Sequence, residues 1–332
     1  MTTVRVGVIG LRFGSAVHVP AFRTDPRCVV AAMASRDHSR TEEVARQLGV
    51  PVAHADWRAL LADETIDAVG IAVPPLEQAA IISAAARAGK HVFCEKPLAA
   101  TVAEAEQSVA GVRESGVAHA IDFIFPEIPA WQKAHALLRA GAIGIPRHFS
   151  YSWRLQTFAS RTRADSWKNR TAEGGGAAGN FLPHVIFNIE WLLGQIADVD
   201  SLPRRAGASA PAFCDCAVYL VTGVHGHISI ATDAYLGGGH RVEICGDRGT
   251  LVLSNPTPNH ADGFELSIGT LETGRMVVVQ QDPPAVGGDG RIAPAGRIIR
   301  RFIDQIQGQA CVRPNLEDGL HVQHWLQRIS GR

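Results

Sequence analysis

Through roughly the first 120 residues the chain repeats one pattern: a short apolar run, a glycine or proline break, then apolar positions recurring every three or four residues. Residues 4–9, 28–34, 68–73, 91–94 and 117–123 read as buried strands. The stretches 15–23, 41–48, 76–88 and 101–115 read as helices, with Gly49 and Gly89 as stops. Strands alternating with helices over short links imply parallel strands joined by crossover helices.

The period then changes. After a helix at 130–139, residues 147–153 read as a strand, Gly174 to Gly176 as a glycine-rich loop and 182–193 as a helix. Residues 217–253 alternate with period two around turns at Gly223 and Gly237 to Gly239, which predicts antiparallel sheet. Residues 283–296 are rich in Pro and Gly and read as a loop, followed by a helical pair at 298–307 and 316–329. The pattern predicts an α/β protein of two domains, 1–122 and 123–332, with room for the closing helices to pack back on the first.

Composition narrows the function classes. The 332 residues are 46% apolar and 19% charged, enough for two real cores. Lys plus Arg equals Asp plus Glu at 32 each, so no overall field attracts a nucleic-acid backbone or an anionic membrane. No apolar run approaches the length of about 18 residues that a membrane span needs. The first residues form a strand and lack the features of a secretion signal. Six scattered cysteines, Cys28, Cys94, Cys214, Cys216, Cys245 and Cys311, suit a reducing cytoplasm better than a disulfide framework.

The first strand runs into G-V-I-G-L-R-F-G, residues 7–14, a glycine turn that opens a helix. In a dinucleotide fingerprint such a turn lets the pyrophosphate reach the backbone at a positive helix end. Gly10 supplies the first glycine, Arg12 stands where the second would be, and Phe13 and Gly14 complete the turn. The end of the second strand chooses the ribose: an acid suits the 2′-hydroxyl of NAD, a cation the 2′-phosphate of NADP. Ser35 and Arg36 stand there, with Asp37 next, so NADP(H) is expected ahead of NAD(H).

The string D-A-V-G-I-A-V-P-P at 67–75, followed by A-A-R-A-G-K-H-V-F-C-E-K-P-L-A at 85–99, closely resembles the Gfo/Idh/MocA oxidoreductase family. The likeness continues in A-S-R-D at 34–37, G-A-I-G-I-P-R-H at 141–148, G-G-G-A-A-G-N-F-L-P-H at 174–184, E-I-C-G-D-R-G-T-L at 243–251 and R-P-N-L-E-D-G-L at 313–320. It implies an N-terminal Rossmann domain, a doubly wound parallel sheet, and a C-terminal α+β domain with an open, mostly antiparallel sheet that binds substrate and mediates oligomers. It implies cofactor contacts at Val73, Pro74, Glu95, Lys96 and Pro97, with Lys96 beside the nicotinamide and the reacting oxygen.

Family members often carry Asp and, four residues on, His after the glycine-rich loop. Here Asn180 and His184 match, His184 as candidate acid/base, while Asn180 also reads as a helix N-cap with Pro183 in the first turn. Asn180 in place of Asp predicts a more positive pocket suited to anionic substrates. Asn188 lies one turn further along the same face. Trp153, Arg163, Trp167 and Lys168 are candidate sugar contacts. Phe123 is another, although with Phe125 and Trp131 it also reads as packing.

The pairs Cys214/Cys216 and His225/His227 raise zinc, but no further ligand motif supports a site, and no metal is expected. The expected activity is hydride transfer between NADP(H) or NAD(H) and a sugar, cyclitol or related hydroxy or keto compound. Lys96 and His184 would handle alkoxide and proton in a cytoplasmic homodimer or homotetramer. Two alternatives remain open: an NAD-dependent glycoside hydrolase of the same fold, and a non-catalytic dinucleotide-binding regulator.

Overall fold

A computed structural model describes residues 3–162, 166–201, 210–257, 261–284, 287–310 and 313–330. Strands β1 to β6 are Val4–Ile9, Cys28–Ala34, Val52–His54, Ala68–Ile71, His91–Cys94 and His119–Ile121; β7 to β14 are Pro146–Arg154, Ile196–Ser201, Phe213–Leu220, His225–Ala231, Gly239–Gly246, Gly249–Asn255, Glu265–Thr270 and Met276–Gln281. Helices α1 to α5 are Val19–Phe22, His38–Leu48, Trp57–Ala62, Pro75–Arg87 and Val102–Ser115; α6 to α10 are Pro129–Arg139, Phe158–Thr162, Gly176–Leu193, Ile292–Ile306 and Leu316–Ser330. The chain divides into two compact units, one of Met1–Ile124 with Arg291–Gln323 and one of Phe125–Gly290 with His324–Arg332.

The first unit holds a six-stranded parallel sheet in the order β3-β2-β1-β4-β5-β6. Val6, Val8, Ile71, Val92 and Phe93 are fully buried, as strands covered on both faces require. Strand order reverses between β1 and β4, the switch point outside which ligands bind in such sheets. Local chemistry sets the helices: Asp37 caps α2 and Gly49 ends it in the left-handed region, while Thr101 and Glu104 form a capping box on α5. One face of α9 buries Ile298, Ile299, Phe302 and Ile303, and Phe302 lies 6.1 Å from Phe93. Arg27 ties the start of β2 to α9 by bonds of 2.6 Å to both Asp25 and Asp304.

The second unit holds an eight-stranded sheet in the order β14-β13-β12-β11-β7-β10-β9-β8, antiparallel except for the parallel pair β7 and β10. Phe149, Tyr151 and Trp153 of β7, with Ile228, Ile230, Val242 and Ile244, face inward. The opposite face exposes Phe213, Tyr219, His225 and His227. The α/β architecture is thus the expected one: a doubly wound parallel sheet followed by an open, mostly antiparallel sheet. Among the described residues no helix is long and apolar enough to cross a membrane.

Several elements differ from the pattern. β3 is only three residues long and α3 six, while β8, β13 and β14 lack a continuous buried run, β14 being exposed along most of its length. Helix α9 begins at Ile292, inside the expected loop, and α8 begins at Gly176, six residues before its apolar period starts. Phe302→Ala should destabilise the first unit by roughly 3–5 kcal/mol, the cost of emptying a fully buried aromatic site. Urea unfolding followed by far-UV circular dichroism measures it, and an unchanged midpoint would mean that α9 is no part of that core.

Candidate functional site

β1 ends in Gly10, whose φ of +112° is reserved for glycine and whose missing Cβ would run into the carbonyl oxygen of Ala72. The turn after β1 and the turn after β4 therefore meet backbone to backbone. A single π-type turn, Gly14–His18, then leads into α1. Gly14 packs against Val8, 3.1 Å from where a Cβ would sit, Arg12 is exposed, and Phe13 carries the guanidinium of Arg291 at 4.7 Å from its ring. The parallel sheet brings the ends of its strands to one edge. Gly10, Ser35 and Arg36, Val73 and Pro74, and Glu95 to Pro97 all gather there, with Phe123 buried behind them.

At the end of β2 each polar side chain has a distinct employment. Ser35 Oγ bonds Thr41 Oγ1 at 2.8 Å, and the Asp37 carboxylate accepts the Arg40 N–H at 3.0 Å. Arg36 reaches into solvent and forms an ion pair with Glu77 of α4.

The Glu95–Lys96–Pro97 turn is clamped from α4: the buried Gln78 amide donates to the carbonyls of Glu95, Pro97 (2.9 Å) and Leu98 (3.2 Å). Behind the turn lie two further titratable groups. The buried His18 places Nε2 3.2 Å from Glu95 Oε1, and the Lys96 N–H donates to Glu95 Oε2 at 3.3 Å. Asp122, only 2% exposed, follows β6 and hydrogen-bonds Glu95. Burial pushes the Asp122 carboxyl well above the ordinary range, and the Glu95 charge and hydrogen bond add to it against the opposing charges of Lys96 and Arg291. Burial also opposes ionisation of Glu95, but the hydrogen bond and charge of His18 and the charge of Lys96 outweigh it and hold Glu95 below its usual value. The pair thus shares one negative charge: Asp122 keeps its proton and Glu95 is the carboxylate. Ligand-type atoms of His18, Glu95 and Asp122 lie within 4.8 Å of one another, the only such His, Cys, Asp or Glu group among the described residues.

In the second unit α8 carries Asn180, His184 and Asn188 on one face at four-residue spacing. The helix starts early because glycine lets it approach neighbouring backbone: a Cβ on Gly175 would meet the carbonyls of Trp167 and Lys168, and one on Gly179 the carbonyl of Gly174. Gly175 is the N-cap, so Asn180 lies inside the helix and is not its cap, and Pro183 stands in its interior. Asn180 and His184 keep 9% and 7% exposure, whereas Asn188 has none. Asn188 Nδ2 donates to Tyr151 Oη at 3.1 Å, and Tyr151 Oη lies 2.7 Å from His240 Nε2. Burial pushes the Tyr151 phenol upward, so it keeps its proton within this network. His240 stacks on Trp153 at 4.2 Å, and Phe125 stands edge-on to His184 at 5.0 Å.

Asn188, Trp153 and Phe123 are interior side chains, while Trp167 is half-buried and Lys168 exposed on a short 3₁₀ turn. Arg163 lies outside the described residues. Cys214 and Cys216 point inward and His225 and His227 outward, so these pairs occupy opposite faces of the sheet. Sequence reasoning missed His18, Gln78, Asp122, Tyr151 and His240. Only Asp122 carried a visible signal, an acid inside the apolar run A-H-A-I-D-F-I-F at 118–125.

A glycine turn at a switch point and a clamped Glu-Lys-Pro turn define a dinucleotide-binding oxidoreductase. Residues 4–123 match the family model described as an oxidoreductase family with an NAD-binding Rossmann fold, and residues 131–252 match the GFO/IDH/MocA C-terminal domain. An uncharacterised oxidoreductase of Synechocystis sp. is 30% identical over 96% of this chain and 91% of its own. The inositol 2-dehydrogenase of Acidothermus cellulolyticus is 31% identical over 77% of this chain and 74% of its own. Among solved structures, a levoglucosan dehydrogenase in complex with NADH and levoglucosan superposes with a TM-score of 0.87 at 24% identity, over 99% of this chain and 96% of that one. A 3-ketoreductase from Actinomadura kijaniata in complex with NADP and TDP-benzene gives 0.82 at 24% identity, over 99% and 98%. At that identity the last two show a likeness of fold. The chain belongs to the Gfo/Idh/MocA oxidoreductase family.

The Asp122 proton has a measurable consequence. A carboxyl raised above its ordinary value of 3.8 takes up a proton on folding, so its contribution is complete below that value and is lost as pH rises through the raised one. The parent Tm should therefore fall relative to that of Asp122→Asn as pH rises from about 5 to about 8. Parallel Tm curves for the two proteins over that range would exclude a protonated Asp122.

Proposed function

We propose that the chain transfers a hydride between NAD(P)(H) and a sugar, cyclitol or related hydroxy or keto compound. The observation that carries this reading is the pairing of two turns at one sheet edge: Gly10, with no side chain against the Ala72 carbonyl, and Glu95–Lys96–Pro97, clamped by Gln78. The first leaves open backbone for a pyrophosphate, and the second presents a lysine beside it. The named activities of the inositol and levoglucosan dehydrogenases support the substrate class.

The nicotinamide, when bound, supplies or accepts the hydride. Gly10, Arg12, Phe13 and Gly14 hold the phosphates, Ser35 and Arg36 the adenosine side, and Val73, Pro74 and Pro97 line the path. Lys96 points its ammonium at the substrate oxygen and stabilises the alkoxide that develops there. Glu95 keeps that ammonium in place with one negative charge, not two. His184 exchanges the proton, a role suited to an imidazole at neutral pH. Asn180 orients a hydroxyl without adding charge, which favours an anionic or carboxylated substrate. The chain Asn188–Tyr151–His240 and the stacked Trp153 fix the face of α8 on which His184 stands. We place the enzyme in the cytoplasm as a homo-oligomer joined through the outer sheet face, where Phe213 and Tyr219 lie exposed.

Lys96→Met should lower kcat/KM by about 10³–10⁴ with levoglucosan or myo-inositol as probe, and His184→Ala by about 10²–10⁴. NADH affinity, read by nucleotide fluorescence, should move by less than about tenfold in both. Turnover at the parental rate in either variant would remove that residue from the mechanism.

A further inference from the structure

We propose that Glu77 replaces the ribose-binding acid that the end of β2 lacks, so that the site admits NAD(H) and disfavours NADP(H). The inference rests on the NAD(P)-binding reading above and adds the residue that selects between the two nucleotides.

Dinucleotide-binding sheets place the adenosine ribose at the carboxyl end of the second strand, where an acid usually accepts from the 2′-hydroxyl. Here β2 ends at Ala34, and the next residues are Ser35, Arg36 and Asp37. The acid nearest in sequence, Asp37, caps α2: one of its carboxylate oxygens accepts the Arg40 N–H at 3.0 Å. Ser35 is bonded to Thr41. Arg36 extends outward, its side chain 78% exposed, and its guanidinium meets the carboxylate of Glu77, whose side chain is 31% exposed.

Glu77 comes from a different part of the chain. It sits in the first turn of α4, where the helix dipole favours a carboxylate, and so is held independently of Arg36. β2 and β4 flank β1 on either side, so the Arg36–Glu77 pair links the two sides of the glycine turn. A second acid, Glu77, therefore stands beside Arg36 just past the end of β2 although it is remote in sequence.

The chemistry of the pair separates the nucleotides. The Glu77 carboxylate can accept from the 2′- and 3′-hydroxyls of NAD(H), as the usual strand-end acid does. A 2′-phosphate brings about two negative charges, is repelled by Glu77 and must compete with it for Arg36. Arg36 keeps NADP(H) from being excluded altogether. Because the pair is exposed, the discrimination is moderate and weakens with salt.

The test is fluorescence titration of the full-length protein with NADH and NADPH at low ionic strength. Glu77→Gln should tighten NADPH by about tenfold and weaken NADH by about threefold, while Arg36→Gln should weaken NADPH by about tenfold and leave NADH within about threefold. At about 1 M salt the effect of Glu77→Gln on NADPH should shrink towards nothing. If the ratio of the two dissociation constants moves by less than about threefold in Glu77→Gln, or moves towards NADH, the proposed role of Glu77 is wrong and the nucleotide site stands. Should the parent protein bind neither nucleotide, the oxidoreductase reading itself fails and this inference falls with it.

Discussion

Everything at the sheet edge depends on one close approach: the turn after β1 touches the carbonyl of Ala72 after β4, with only a hydrogen atom of Gly10 between them. A side chain there would push the two turns apart and demand a backbone conformation that L-residues avoid. The contact sits where strand order reverses, so the two halves of the parallel sheet converge on it. Glycine keeps the backbone of the turn bare, and that is what makes it accessible to a phosphate.

Charge around the Glu-Lys-Pro turn follows from burial. Two carboxyls and an imidazole have been drawn behind Lys96 into a region where a second negative charge is too costly. The outcome is a division of labour between chemically similar groups: Glu95, bonded by His18 and facing Lys96, is ionised, and Asp122 stays neutral and donates to it.

Helix α8 obeys a different constraint. Its first turns include Gly176, Gly179 and Asn180, residues of poor helix propensity, and Gly175 and Gly179 allow contact with neighbouring carbonyls that a side chain would block. Extending the helix backwards turns Asn180 from a cap into an interior residue aligned with His184. The next residue on that face, Asn188, is spent on fastening the helix to Tyr151 and His240. The two asparagines have the same chemistry, and Asn180, at 9% exposure, differs from the fully enclosed Asn188 only in depth.

The repeating period of apolar runs was enough to set out most of the parallel sheet and its crossover helices, and motif residues singled out Gly10, Lys96 and His184 as candidates. These are local properties: strand and helix periods, glycine conformations and short spacings are written into neighbouring residues. Where an element was short, as with β3, too few positions existed to carry a period, and where it had no buried side, as with β14, there was no period to carry. Tertiary structure decided what depends on residues far apart in the chain. Glu77 meets Arg36, His18 and Asp122 meet Glu95, and His240 meets Tyr151 only after the sheets have formed, because side chains pair by distance in space and no spacing in sequence encodes those partners.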